Sequence, residues 1–314
     1  MTPFAATAGP NETGAMIDIA APSELTLPDG RILNVYVEGP EDGTVLINHH
    51  GTPSAGVPPP AFVRTAAERG LRWVCYSRPG YGDSTRAAGR AVADCVRDVA
   101  AIADHLGADR FFTIGGSGGG PHTLACAALL PDRVRGCAAI ACPAPWGAEG
   151  LDWLAGQGPE NLEEFGAALE GPEALEAYLV RESGPLGAVS DPDEMIKALG
   201  EGLLPDVDRA AISGEYATTL IASMKRAVMK GVWGWFDDDM AFLHDWGFSL
   251  DAIEVPVALW QGRLDKMVPF AHGEWMASHV PNARPHLLED QGHLSIAVGS
   301  FPLILDDLLG HALP

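Results

Sequence analysis

The stretch FFTIGGSGGGPH, Phe111 to His122, constrains this chain more than any other. Apolar β-formers run into Gly115-Gly116-Ser117-Gly118-Gly119, and the apolar helical pattern PHTLACAALLPDR follows, entered at Pro121 and stopped before Pro131. A strand that becomes a helix across so few residues must turn sharply. Side chains two positions either side of the serine would then collide, so Gly115 and Gly119 must be small and Ser117 takes a strained backbone conformation. Its hydroxyl stands above the strand end, at a helix N-terminus whose amides point outward. A glycine-rich strand-to-helix turn can also cradle a phosphate, but neither G-x-G-x-x-G nor the phosphate-loop lysine fits these positions. The rest of the chain must decide.

That rest alternates strand and helix. RILNVYVEG (Arg31 to Gly39), TVLINHH (Thr44 to His50), LRWVCYS (Leu71 to Ser77), FFTIGG (Phe111 to Gly116) and VRGCAAIAC (Val134 to Cys142) are short β-rich runs suited to a mostly parallel sheet buried on both faces. In RAVADCVRDVAAIADHLG the apolar Val92, Val96, Val99, Ile102 and Leu106 recur at three- and four-residue steps, and Gly107 follows as a stop. Strand–helix–strand alternation predicts an α/β, doubly wound sheet with right-handed crossovers. After Cys142 the rhythm breaks. Residues 146–247 turn helical and acidic and hold Trp146, Trp153, Trp233, Trp235 and Trp246; strands resume at VPVALWQG (Val255 to Gly262) and RPHLLED (Arg284 to Asp290). The expected organisation is a flexible tail at 1–22, a core at 23–145 and 248–314, and a helical cap at 146–247 over the sheet's carboxyl edge, where open α/β sheets bind ligands.

Charge bounds the partners. Twenty basic against 42 acidic residues give a formal charge of −22, which repels phosphate backbones and anionic headgroups; neither nucleic acid nor membrane is expected as a partner. Cys75, Cys95, Cys126, Cys137 and Cys142 form no C-x-x-C pair and sit in apolar runs, as buried free thiols do. The first residues lack the basic start and continuous apolar stretch of a signal peptide, and no segment nears the roughly 20 apolar residues that span a bilayer. A cytoplasmic location is the expectation.

Two further features lie in the order that acyl-transfer chemistry on this fold requires. VALWQGRLDKMVP puts Asp265 just past a strand, in a G-x-x-D turn from Gly262, and LLEDQGHLS puts His293 just past the next, 28 residues on. Serine, then acid, then histidine, each at a strand end, predicts Ser117 as nucleophile, His293 as general base and Asp265 as its orienting carboxylate. The rival acids Asp237, Asp238 and Asp239 lack a preceding strand; the rival bases His272, His279 and His286 lie in no comparable loop. An oxyanion needs two N–H donors. Gly118 follows the serine, and in INHHGTPSAG the donor is Thr52, because Pro53 has no N–H and Gly51 permits close approach. His49 and His50 are adjacent on a strand and face opposite ways, so no metal site is expected there.

HHGTP, SRPGYGDS, GGSGG, the G-x-x-D turn and QGH together resemble the α/β-hydrolase superfamily, and within it the capped branch of small serine esterases, lactone hydrolases and proline-iminopeptidase-like enzymes. The resemblance spans Asn48 to His293. It implies a triad of Ser117, Asp265 and His293, an oxyanion hole at Thr52 and Gly118, and no cofactor. The aspartate nucleophile of epoxide hydrolases and haloalkane dehalogenases is replaced here by Ser117. The iminopeptidase elbow carries tryptophan after the serine; Gly118 in its place implies a roomier site floor. The expected activity is hydrolysis of a small carboxylic ester or lactone, with a small ester, lactone or acyl compound as partner. Aminopeptidase or thioesterase action, and ligand binding without chemistry, are the alternatives. For the substrate pocket the candidates are His50, Trp146 and Trp233, with Glu160, Glu163 and Glu164 as carboxylates able to hold an ammonium group.

Overall fold

The computed structural model describes residues 21–313; all but the last two residues of the tail expected at 1–22 lie outside them. Among the described residues eight strands form one sheet: β1 (Ser23–Thr26), β2 (Ile32–Glu38), β3 (Thr44–His49), β4 (Leu71–Tyr76), β5 (Phe111–Gly116), β6 (Val134–Ile140), β7 (Val257–Gly262) and β8 (Ala283–Leu288). Their order is β1-β2-β4-β3-β5-β6-β7-β8. β2 pairs antiparallel with both β1 and β4, whereas β4-β3-β5-β6-β7-β8 run parallel, joined by crossovers. The crossovers carry α1 (Pro60–Ala67), α2 (Cys95–His105), α3 (Gly119–Leu129) and α10 (Phe270–His279), and α11 (Ser295–Gly310) follows β8.

Strand periodicity sorts the core into two layers. Val45 and Ile47 of β3 point to the side of α2, α3 and α10, where they meet Val99, Leu124 and Met276. Leu46, between them, points to the side of α1 and α11 and meets Ala66, Phe301 and Ile304. Both faces are covered, which is why these strands read as continuous apolar runs. All five cysteines are buried and unbridged. Among the described residues no helix is long and apolar enough to cross a membrane.

Between β6 and β7 lie six helices: α4 (Pro159–Glu170), α5 (Pro172–Ala188), α6 (Pro192–Leu199), α7 (Asp206–Ala211), α8 (Gly214–Val228) and α9 (Trp233–Phe242). They bury a cluster of their own, including Phe165, Leu175, Met195 and Trp235, which Ala55 and Tyr81 of the sheet side also join. Ion pairs fasten this helical segment to the loop after β4. Arg226 of α8 donates to Asp83 at 2.5 Å and to Asn34 at 2.9 Å, and Arg86 pairs with Asp237 of α9 at 2.8 Å.

Candidate active site

Ser117 has φ of +55°, the left-handed region in which a side chain is strained. Its amide donates to Ile140 O at 2.8 Å and its carbonyl accepts from Gly120 N at 2.8 Å, so the turn is held on both sides. The flanking glycines are required by close backbone approach. A Cβ on Gly115 would stand 2.3 Å from Gly119 O, and one on Gly119 only 2.0 Å from His49 O. At Gly118 a Cβ would meet Thr52 Oγ1 at 2.3 Å and the Phe242 ring at 2.9 Å. The roomier floor expected from this glycine is therefore absent: Thr52 and Phe242 occupy the space that a larger residue would take.

His293 and Asp265 meet as an ion-pair-like contact, Nδ1 to Oδ2 at 2.8 Å, both residues buried. The carboxylate is aimed by its surroundings. Its Oδ1 accepts from the amides of Met267 and Val268, each at 2.8 Å, and its Oδ2 also accepts from Gln261 Nε2 at 3.1 Å. Burial disfavours a charged imidazole, but the Asp265 carboxylate outweighs it and holds His293 above the usual histidine value. The competing imidazoles are committed elsewhere. His272 accepts at Nδ1 from Ala144 N and contacts Trp153 O through Nε2, with burial pushing its pKa down. His286 stacks on Trp260 and pairs with Asp307, and His279 stacks on Trp275.

Ser117 and His293 line one cavity of about 520 Å³ between the sheet's carboxyl edge and the helical segment, with Thr52, His50, Trp235, Tyr216 and Met224 among its walls. The turn that carries Thr52 is clamped from below. Asp238 accepts from Thr52 Oγ1 at 2.7 Å, Tyr81 OH at 2.8 Å, Arg78 Nη2 at 2.5 Å and Arg90 Nη2 at 2.6 Å. Arg78 also donates to the carbonyls of His50 and Gly51. Burial opposes the Asp238 charge, yet Arg78 and Arg90 prevail and hold this carboxyl well below its usual range. His49 and His50 do point apart: His49 reaches Tyr76 OH at 3.1 Å, whereas His50 Nε2 accepts from Arg78 N at 3.0 Å.

The pocket candidates divide. His50, Glu160, Glu163 and Glu164 lie in the cavity wall; Trp146 and Trp233 do not. Trp146 packs edge-on against Trp153, and Trp233 lies under the Arg86 guanidinium, 4.0 Å from its ring centre. Along α4 the three glutamates have three fates, as 100° per residue dictates. Glu160 accepts from Gly202 N, Glu163 is exposed beside Arg181, and Glu164 is turned inward, where Trp235 Nε1 donates to its Oε1 at 2.7 Å. Glu164 faces Asp239 of α9, and burial lifts its pKa to about 7. Burial and the neighbouring Glu164 likewise push Asp239 well above the usual carboxyl value. The pair opens on a small cavity of about 70 Å³ that Ser117, Gly118, Thr52 and Gln157 also line. Among the described residues, both Asp239 oxygens and Gln157 Oε1 lack a conventional donor. Sequence reasoning missed Gln157 and weighed Asp238 and Asp239 only as rival triad acids.

The model of the alpha/beta hydrolase fold matches residues 44–300. The chain belongs to the α/β-hydrolase family. It is 27% identical over 270 residues, 85% of this chain and 89% of the relative, to an uncharacterized hydrolase of Bacillus subtilis. A pimeloyl-[acyl-carrier protein] methyl ester esterase of Chromobacterium violaceum is 25% identical, covering 80% and 87%. A probable proline iminopeptidase of Leptolyngbya boryana is 22% identical, covering 89% and 91%. Among solved structures, an esterase of Exiguobacterium antarcticum superposes with a TM-score of 0.67 at 18% identity, covering 92% and 98%. The hydrolase family and its fold are thus established for this chain.

Proposed function

We propose that this hydrolase cleaves a small carboxylic ester through an acyl-enzyme on Ser117. The observation that carries the reading is that His293, held by buried Asp265, lines the same cavity as the strained Ser117. His293 takes the hydroxyl proton as Ser117 Oγ attacks the carbonyl carbon, and Asp265 stabilises the imidazolium. The amides of Thr52 and Gly118 hold the oxyanion, and the Asp238 clamp fixes the first of them. His293 then protonates the leaving alcohol and activates the water that releases the acid. Ser117→Ala should lower kcat on a p-nitrophenyl ester by on the order of 10⁴-fold or more while preserving the unfolding temperature. A fluorophosphonate should label Ser117, as read by peptide mass mapping. Turnover retained in the variant, or an adduct on another residue, rejects the assignment.

A second reading is favoured by one specific observation. The small cavity beside Ser117 presents acceptors from Glu164, Asp239 and Gln157, which suits a donor-rich ammonium group on the acyl side of the scissile bond. That arrangement supports cleavage of aminoacyl esters or amides. The relative kcat/KM of an alanyl and an acetyl p-nitrophenyl ester decides between the readings, because only the aminoacyl reading expects the free amine to raise it.

A further inference from the structure

The histidine loop is held by two carboxylates, and only one of them belongs to the sheet. Asp208, on the short helix α7, is fully buried. Its Oδ2 accepts from His293 N at 2.8 Å, and its Oδ1 accepts from Leu294 N at 3.0 Å and Ser295 N at 2.8 Å. These amides open α11, whose own N-cap residue, Leu294, offers no side-chain acceptor. A helix start leaves such N–H groups without partners and carries partial positive charge, so a carboxylate placed there is strongly bound. Here it is supplied by a helix 85 positions away in the chain. The same contact accounts for the glycine of the QGH motif: a Cβ on Gly292 would stand 2.5 Å from Asp208 Oδ2.

We propose that Asp208 is a positioning residue that ties the backbone of the general base to the helical segment over the cavity, so that seating of that segment sets the imidazole's reach toward Ser117. The inference rests on His293 acting as the base. Asp265 fixes the ring from the turn after β7, Asp208 fixes the main chain from α7, and Ser117 stands on the turn after β5. Displacement of α7 by a substrate or by loss of its carboxylate moves one reacting partner and not the other. Hydrogen-bond geometry at the base is steep in distance and angle, so a small shift costs rate more than binding.

The contact also has an electrostatic signature. Asp265 and Asp208 are the carboxylates whose charge favours the imidazolium at His293. Of their neighbours, Arg209 is turned toward Glu201 O, Lys266 is exposed, and burial together with Asp208 pushes the Tyr216 hydroxyl upward, so that it stays neutral. Removing the Asp208 charge therefore makes His293 easier to deprotonate, whereas a purely structural cap would leave its titration alone.

The test uses the full chain with Asp208→Asn, which keeps the shape and one accepting oxygen, and Gly292→Ala, which pushes the carboxylate aside without removing it. Against a p-nitrophenyl ester, Asp208→Asn should lower kcat about 10- to 100-fold with KM changed by less than about 3-fold. The acid limb of its kcat/KM profile should move to lower pH by about half a unit. Gly292→Ala should lower kcat in the same way with a smaller movement of the limb. Wild-type kcat in Asp208→Asn overturns the proposal. So does a fall in kcat that tracks unfolding with the acid limb unmoved, and so does failure of both variants to fold, which makes Asp208 a folding residue first. A Ser117→Ala variant run alongside separates the cases: if it retains turnover, the nucleophile assignment fails, and if it is inert while Asp208→Asn behaves as wild type, only the present inference does.

Discussion

Asp238 and Asp239 are consecutive on α9 and equally sealed from solvent, yet their surroundings give them opposite charge states. Asp238 turns toward Arg78, Arg90, Tyr81 and Thr52 and is kept ionised. Asp239 turns toward Glu164, and burial together with that neighbouring acid outweighs the pull of Arg90 and favours its protonated form. Burial is the same for both; the partner decides. The division maps onto the site. The ionised side lies beneath the Thr52 turn and acts as scaffold, while the protonated side opens on the small cavity beside Ser117. An unbalanced charge at the second position would oppose an oxyanion forming nearby, so ester cleavage favours a neutral pair, whereas the aminoacyl reading balances a charge there with the substrate's ammonium.

Removing the scaffold acid should produce the largest effect. Asp238→Ala strands two buried guanidinium groups and frees the Thr52 hydroxyl, for an expected loss of about 3–5 kcal/mol of stability. Urea unfolding measures it. A loss under about 1 kcal/mol would mean that the network is relaxed by water, and the contrast between the neighbouring aspartates would lose its structural half.

This contrast was the least legible part of the sequence, and the reason is physical. The placement of Ser117, Asp265 and His293 could be read because each follows a strand, and strand ends are marked locally by apolar runs and by turn glycines. The parallel sheet was legible for the same reason, since β3 and β5 announce themselves within six residues. Asp238 is bound by groups 148 to 186 positions away, and Asp208 by an amide 85 positions away, so nothing beside them in the chain distinguishes them from solvated acids. The run WGWFDDDM shows three carboxylates and no sign that all three are buried. Trp146 and Trp233 were plausible pocket residues by type, but their ring partners, Trp153 and Arg86, are set by tertiary packing.

The two sides of α9 also predict stability slopes of opposite sign, through Asp238 on one and Glu164 on the other. Asp238 has a depressed folded pKa, so its contribution is complete above the unfolded aspartate value and is lost as the pH falls below about 4. Glu164 has a folded pKa raised from 4.5 to about 7, so the favourable state is the protonated one. Its contribution is complete below 4.5 and is lost as the pH rises to about 7, because the unfolded chain ionises first. Glu164→Gln removes this contribution and should flatten stability between pH 5 and 7, leaving the variant more stable than the wild type at pH 7.5 by about 1–2 kcal/mol. Denaturant unfolding at several pH values reads the slope. Parallel curves for the two proteins would show that Glu164 is ionised in the fold.

A finer change adjusts the carboxyl pair without removing it. Trp235 Nε1 donates to Glu164 Oε1, a bond that favours the ionised carboxylate and so works against burial. Trp235→Phe keeps an aromatic filler in the cluster with Phe165 and Met195 but withdraws this donor. Ionisation of Glu164 becomes harder, and the pH at which the stability slope levels off should rise by roughly half a unit. The sign is the informative part. A downward movement would show that the smaller ring admits water to the pair, with solvation gaining more for the charged form than the indole bond had supplied, and the protonated side of α9 would then be dry only because Trp235 seals it.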